Sequence, residues 1–303
     1  MFCPPSPPEN NLACAILECV SPRRWFVLSL PVVFLLVATG LGCGASGGAN
    51  TTVNTRRLPN PGQLATEIDR SQRVIDAASR SGLQRAAIAQ QLDFRQLADH
   101  RSLRRSTLVR LTPGARSSAL AALRAVSALS RIVPAERRLP DWRIVAPPSP
   151  SKLLGYFEAA AAAYKIPWQY LAAIELVETR MGRIRGLSPA GAKGPMQFMP
   201  ATWAEYGRGS INDQRESIMA AARFLKANGA DRNIGRALLH YNPSPSYVVA
   251  VESYAREMRR DPRTFFGFYY WQVLYQTNKG TFLLPVGYPR AAAKKLRDGG
   301  DRP

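Results

Sequence analysis

The sequence predicts a mainly α-helical protein: a helical N-terminal pre-domain, a larger helical C-terminal domain and a small β-hairpin near the C-terminus. Three observations carry that expectation. Apolar residues recur at helical spacing through residues 63–135, with none of the strict alternation that a half-buried strand requires. From residue 149 onwards, Ser, Asp, Asn and Pro stand at regular intervals where helices would start. Near the end, Asn278-Lys-Gly280 separates two short apolar runs.

The first element is an export signal. Arg23-Arg24 precede an apolar run from Trp25 to Ala38, followed by the small residues Thr39-Gly-Leu-Gly-Cys43-Gly-Ala-Ser-Gly-Gly48. A positive flank, an apolar core and a small-residue exit are the parts of a secretory segment. Residues 1–42 are therefore assigned to a signal or anchor, and the protein is expected to be exported to the cell envelope. Leu41-Gly42-Cys43 resembles the site at which a cysteine is lipidated after cleavage, with Gly40 where an aliphatic residue is usual. Lipidation of Cys43, simple cleavage and an uncleaved membrane anchor all stay open. Pro-Pro-Ser-Pro-Pro and three cysteines precede the basic pair, which raises the alternative that translation starts downstream, at Val20.

Residues 43–62 read as a flexible linker, rich in Gly, Asn and Thr. Residues 63–140 form the pre-domain, with Leu64, Ile68, Val74, Ile75 and Ala78 in one helical series. Leu108, Leu111, Leu120, Leu123, Val126, Leu129 and Ile132 form another. The region is rich in arginine and carries no recognisable chemistry, so packing or spacing is the plain reading. A Pro-rich joint, Leu139 to Pro150, leads into residues 141–303.

In that half, Ser149 and Pro150 predict a helix to Tyr164, and Pro167-Trp168 a second ending near Gly182. Asp213 starts a third to Lys226, closed by Asn228-Gly229. Shorter helices are expected over 233–240 and 246–259. An aromatic run, Phe265 to Trp271, precedes the hairpin Val273–Thr277 and Thr281–Leu284.

The formal net charge is +20. Acidic and basic residues cancel within 1–42, so the whole excess belongs to the remainder. Such a charge favours an anionic partner: nucleic acid, an anionic membrane face or the acidic polymers of a cell wall. Export, and the lack of any nucleic-acid-binding motif, argue against nucleic acid. All four cysteines lie within the first 43 residues and only two histidines are present. Once a leader is removed, a disulfide framework, a cysteine metal site and a histidine-rich metal centre are all excluded. No metal and no cofactor are expected.

Three features attract chemical attention. Glu175 and Glu178 end a largely apolar helix, Leu171-Ala-Ala-Ile-Glu-Leu-Val-Glu-Thr179. Ser188-Pro-Ala-Gly-Ala-Lys-Gly-Pro-Met-Gln-Phe-Met-Pro200 is a loop of small residues with the amide of Gln197 among apolar neighbours. Tyr241-Asn242 follows a helix. A carboxyl at the end of an apolar helix loses solvation, which disfavours its charged form and suits a general acid. A glycine-rich loop lets backbone amides approach a sugar closely, and a tyrosine hydroxyl can bind a carboxylate or an N-acetyl group. The same residues also suit a solvated helix end and an ordinary turn, so on chemistry alone both readings stand.

The order and spacing of these elements decide more. Glu178-Thr179, then Ser188-Pro-Ala-Gly-Ala-Lys-Gly-Pro-Met-Gln197, Phe198-Met-Pro-Ala-Thr-Trp203 and Tyr241-Asn242 resemble the soluble lytic transglycosylases, which share a lysozyme-like fold with goose-type lysozymes. The resemblance covers about residues 150–260, and the layout of the whole is similar to actinobacterial envelope members. It implies a lysozyme-like catalytic domain over 141–303, with the aromatic segment as an extension. It implies that Glu178 is the catalytic acid and base, and that Glu175 is salt-bridged or solvated. Thr179, Ser188, Gly194, Met196, Gln197, Tyr241 and Asn242 would form the sugar site, with Tyr241 orienting the Glu178 carboxyl. Thr179 stands where the family usually has Ser, and Asn242-Pro-Ser where Asn-Ala-Gly is commoner.

The implied substrate is the glycan strand of peptidoglycan, cut between N-acetylmuramic acid and N-acetylglucosamine without water, leaving a 1,6-anhydro end. The positive surface would suit anionic wall polymers or a membrane surface. Two alternatives remain: a muramidase that hydrolyses the same bond, and a non-catalytic peptidoglycan-binding protein.

Overall fold

The computed structural model describes residues 60–77, 81–133 and 135–297. The export segment, Cys43 and most of the linker lie outside the described residues. Among the described residues no helix is long and apolar enough to cross a membrane.

Four helices precede the joint: α1 (Pro61–Asp76), α2 (Leu83–Asp99), α3 (Arg101–Leu108) and α4 (Pro113–Leu129). Asn60 caps α1 by accepting from the Gly62 amide at 2.8 Å. Prolines open α1, α4 and three later helices, at a first-turn position where the missing N–H costs nothing. After the joint come β1 (Arg143–Ile144), α5 (Pro150–Tyr164), α6 (Trp168–Thr179), β2 (Ile184–Arg185) and α7 (Pro200–Tyr206). There follow α8 (Gln214–Ala227), α9 (Ile234–Tyr241), α10 (Pro245–Arg260) and α11 (Thr264–Tyr270). Asp213 and Asn233 cap α8 and α9 through the amides of Glu216 and Arg236, at 2.8 and 2.9 Å.

The expected hairpin forms as β3 (Val273–Thr277) and β4 (Gly280–Leu284), with Asn278-Lys279 at the turn. Gly280 closes that turn at φ 111°, a left-handed value that glycine tolerates. Two features had no sequence signal. β5 (Lys294–Lys295) adds a third strand against β4, and β1 pairs with β2 through Ile144 and Ile184. Both pairings are too short for a periodic pattern to register.

The helical pre-domain expected over 63–140 shares its core with the C-terminal half. Leu64, Ile68, Phe94 and Leu97 belong to the same buried cluster as Phe157, Leu171, Ile174 and Tyr254. On α4 the stripe Ala115, Ala119, Ala122 and Ala125 is fully or nearly fully buried. Side chains that small let the α4 backbone lie close along α10. A second, smaller core holds Trp142, Ile144, Ile184, Val273, Leu284 and Tyr288, fastening the joint to the C-terminal sheet.

A buried polar clasp reinforces the α4–α10 seam. Glu257 on α10, 3% exposed, accepts from the hydroxyls of Ser117 and Ser118 at 2.6 Å each. Arg260 closes the other side at 2.6 Å. Burial works to raise the Glu257 pKa, but the hydrogen bonds from Arg260, Ser117 and Ser118 outweigh it and hold the carboxyl below its ordinary value. Its stabilisation is therefore present above the unfolded glutamate pKa and lost as pH falls through the folded one. Glu257→Ala should cost about 2–3 kcal/mol at neutral pH, since two hydroxyls and a cation lose an ionised acceptor. That deficit should shrink in acid, which chemical denaturation of both proteins at pH 7 and pH 3 would read.

Candidate active site

Helix α6 is apolar on all sides, and every residue from Tyr170 to Thr179 is buried. A helix without a polar face belongs in the middle of a core, and α6 packs against α5, α10 and α11. Both of its carboxylates are therefore carried inside. Glu178 is 3% exposed and Glu175 is 0% exposed.

The helix stops earlier than the sequence suggests. Instead of continuing to Gly182, it ends at Thr179, and Arg180, Met181 and Gly182 follow in left-handed conformation with φ 54°, 60° and 74°. Two of those residues bear side chains, so the turn is strained, at roughly 1–2 kcal/mol for each. Gly182 answers a packing demand as well: a Cβ there would lie 2.5 Å from the Gln214 amide nitrogen. The Thr179 hydroxyl holds the turn, accepting from the Gly182 amide at 3.1 Å and donating to the Pro195 carbonyl at 2.5 Å. It thus ties α6 to the loop and, at 0% exposed, offers nothing to a ligand.

The loop itself is tightly built. Ser188 is buried and spends its hydroxyl on the Ala192 amide at 3.0 Å. Lys193 and Phe198 exchange a pair of backbone hydrogen bonds at 2.9 Å around the tip. Gly194 sits at φ 76° with a Cβ position only 2.0 Å from the Ile211 carbonyl oxygen, so no side chain fits. Gln197 is held at φ 50°, with its amide donating to the Gly194 carbonyl at 3.0 Å. Met196 is fully buried, and its carbonyl accepts from the Tyr241 hydroxyl at 2.6 Å. Asn242 is buried at the end of α9, its amide bonded to the Leu238 carbonyl at 2.9 Å.

Of the residues selected from sequence, Thr179, Ser188, Gly194 and Met196 thus shape the loop from within. Gln197 and Tyr241 line a small cavity of about 60 Å³, together with Phe198, Thr202, Phe224 and His240. Around Tyr241 the rings of Phe198 and Phe224 meet it edge-on, at 5.8 and 5.4 Å.

One expectation needs correcting. The hydroxyl that reaches the Glu178 carboxyl is that of Tyr247, donating at 2.8 Å, while Tyr241 spends its own on Met196. The two phenol rings stack in parallel, 6.4 Å apart and 8° from coplanar, so Tyr241 supports the contact at one remove. Tyr247 escaped notice because it reads as one more member of the α10 stripe. A tyrosine in an otherwise apolar stripe, whose hydroxyl must find a partner once buried, was the available signal.

Glu175 also departs from expectation. It is neither solvated nor ion-paired: its carboxyl accepts from the Gln214 side-chain amide, and burial raises its pKa well above the ordinary value. Arg185 and the Gln214 hydrogen bond only oppose that rise. Glu178 is pushed up to about 8 by burial, against the pull of the Tyr247 hydrogen bond. Both carboxyls are thus held as neutral acids near neutral pH. Among the described residues no group of three His, Cys, Asp or Glu could hold a metal ion.

The sequence that carries this desolvated acid, the glycine-bearing loop and the stacked tyrosines has a counterpart among known families. Residues 155–262 match the family model of the transglycosylase SLT domain. The match supports a lytic transglycosylase-type domain of lysozyme-like fold over those residues, and with it a peptidoglycan-directed activity. No curated protein and no solved structure matches the chain.

Two measurements follow from the pKa of Glu178. Its folded value lies above the unfolded one, so the stability it contributes is fully present below about pH 4.5 and is lost as pH rises to about 8. Glu178→Gln, which needs no proton, should lose no stability over that interval. It should be more stable than the wild type by several kcal/mol at pH 8 and by little at pH 4, as read by denaturant titrations. Tyr247→Phe removes the hydrogen bond that favours the carboxylate. The Glu178 pKa should then climb further, visible in a ¹³C NMR titration of labelled glutamate; an unchanged pKa would show that the Tyr247 contact does not bear on ionisation.

Proposed function

We propose that this protein is a peptidoglycan lytic transglycosylase that cuts the β-1,4 bond between N-acetylmuramic acid and N-acetylglucosamine, with Glu178 as its only acid and base. The observation that carries this reading is the buried, protonated carboxyl of Glu178 at the end of α6. Glu178 is buried, neutral near pH 7 and hydrogen-bonded from Tyr247. A glycosidase of the usual kind needs a second carboxylate as nucleophile or water activator. Three of the acidic groups in this half of the chain are otherwise engaged. Glu175 is sealed under Gln214, Asp213 caps α8, and Glu216 faces Arg215 and Arg223.

A single acid suffices if the substrate supplies the rest. Glu178 donates its proton to the bridging oxygen as the glycosidic bond breaks. The positive charge left at the anomeric carbon is stabilised by the neighbouring 2-acetamido group. The Glu178 carboxylate, now charged in a buried site, takes the proton of the 6-hydroxyl, whose oxygen closes the anhydro ring. The enzyme returns to its starting protonation state and water is not consumed. A pKa near 8 makes proton donation available at neutral pH and makes the carboxylate a strong acceptor once formed. The cavity lined by Gln197, Phe198, Phe224 and Tyr241 combines an amide with aromatic rings, groups that suit a sugar.

This reading also places the protein outside the cytoplasm, where its substrate lies, in keeping with the export signal expected over residues 1–42. The net charge of +20 suits a polymer that carries peptide carboxylates, and anionic wall polymers or a membrane surface around it.

Mass spectrometry of fragments released from purified peptidoglycan checks the proposal. Wild-type protein should release muropeptides lighter than hydrolytic ones by a water, and Glu178→Gln should release almost none, a loss of about 10²–10⁴-fold for a missing general acid. Fragments with hydrated reducing ends would make the protein a muramidase. Activity surviving in Glu178→Gln would overturn the assignment of the acid.

A further inference from the structure

Immediately after Glu178 and Thr179 the chain turns away from the candidate site and carries Arg180 into the seam between the pre-domain and the catalytic half. Arg180 is only 8% exposed, and among the described residues it forms no ion pair. Its side chain meets the hydroxyl of Tyr254, which burial keeps neutral by raising its pKa. A guanidinium that deeply buried beside a neutral phenol is an uncompensated charge, a condition that costs several kcal/mol unless an anion approaches.

Arg180 also lines a cavity of about 40 Å³, across which stands a second arginine, Arg95 of α2. The remaining polar lining is Gln91, Tyr254, Gln276 and Thr281, with Phe94 and Trp271 among the apolar walls; no carboxylate faces the space. Arg95 is itself 7% exposed and is balanced by Asp99 at 3.4 Å, with Thr281 accepting from it at 3.1 Å. Asp99 offsets Arg95, while no carboxylate in the lining offsets Arg180. A volume of about 40 Å³ holds roughly three water-sized positions at 10–15 Å³ each, enough for a small spherical anion and too little for an organic acid of any size.

We propose that this cavity binds one monovalent anion of chloride size, between the guanidiniums of Arg95 and Arg180. The walls come from α2 and α4 on one side and from the turn after α6, α10 and the β3–β4 hairpin on the other. The bound ion therefore fastens the pre-domain to the strained turn that ends the catalytic helix. An ion bound only by the folded protein stabilises it in proportion to the logarithm of its concentration above the dissociation constant. This proposal is independent of the reaction assigned to Glu178.

The test compares thermal unfolding of the full chain in sodium chloride and in sodium gluconate at equal ionic strength. Chloride should raise Tm by a few degrees in a saturable manner, and gluconate should not. Arg180→Met, which removes the buried charge while keeping much of the apolar volume, should abolish the difference. Crystals of the wild type soaked in bromide should show an anomalous peak between Arg95 and Arg180, a readout that stands even if the variant fails to fold. An equal response to both salts, or bromide peaks confined to the outer surface, would overturn the proposal.

Discussion

The constraint on which this structure depends is the burial of α6. A helix with no polar face can be stable only where every side is covered, and the other elements are arranged to cover it. α5 and α8 close one side, α10 and α11 the other, and α4 backs α10 through a stripe of alanines. The two glutamates on α6 are carried into that environment by their positions in the chain. Desolvation then fixes their protonation, because an isolated charge at such depth is far costlier than a retained proton.

The surrounding polar groups are arranged around that fact. Gln214 satisfies Glu175, Tyr247 satisfies Glu178, and the hydroxyl of Thr179 joins the helix end to the loop. Each contact comes from a different element, so the site is assembled by the fold and not by one local motif. The left-handed run after Thr179 has the same origin. The helix must stop where the loop crosses it, and the strain of Arg180 and Met181 is held by the Thr179 hydrogen bonds and the close approach of Gln214 to Gly182.

Several elements were legible because their signals are local. The caps at Asp213 and Asn233, the proline-opened helices and the Asn278-Lys-Gly280 turn stand where the residues place them. The acid at Glu178 and the loop from Ser188 to Gln197 were legible through their spacing. Misreadings arose where a side chain's partner lies far along the chain. Tyr247 and Gln214 are 69 and 39 residues from the carboxyls they contact. Glu175 reads as a surface residue until the helix around it is known to be covered.

The sequence by itself determined that the chain is helical, where α5, α6, α8, α9 and α10 begin, which carboxyl to examine and that a glycine-bearing loop follows it. These are matters of short-range backbone preference and of residue order. The tertiary structure alone decided that both carboxyls are neutral, that Tyr247 and not Tyr241 reaches the Glu178 carboxyl, and that most of the loop residues singled out serve the loop itself. It also decided that residues 63–135 share a core with the C-terminal half. Protonation and hydrogen-bond partnership depend on what surrounds a group in space, and that environment exists only once distant segments have packed together.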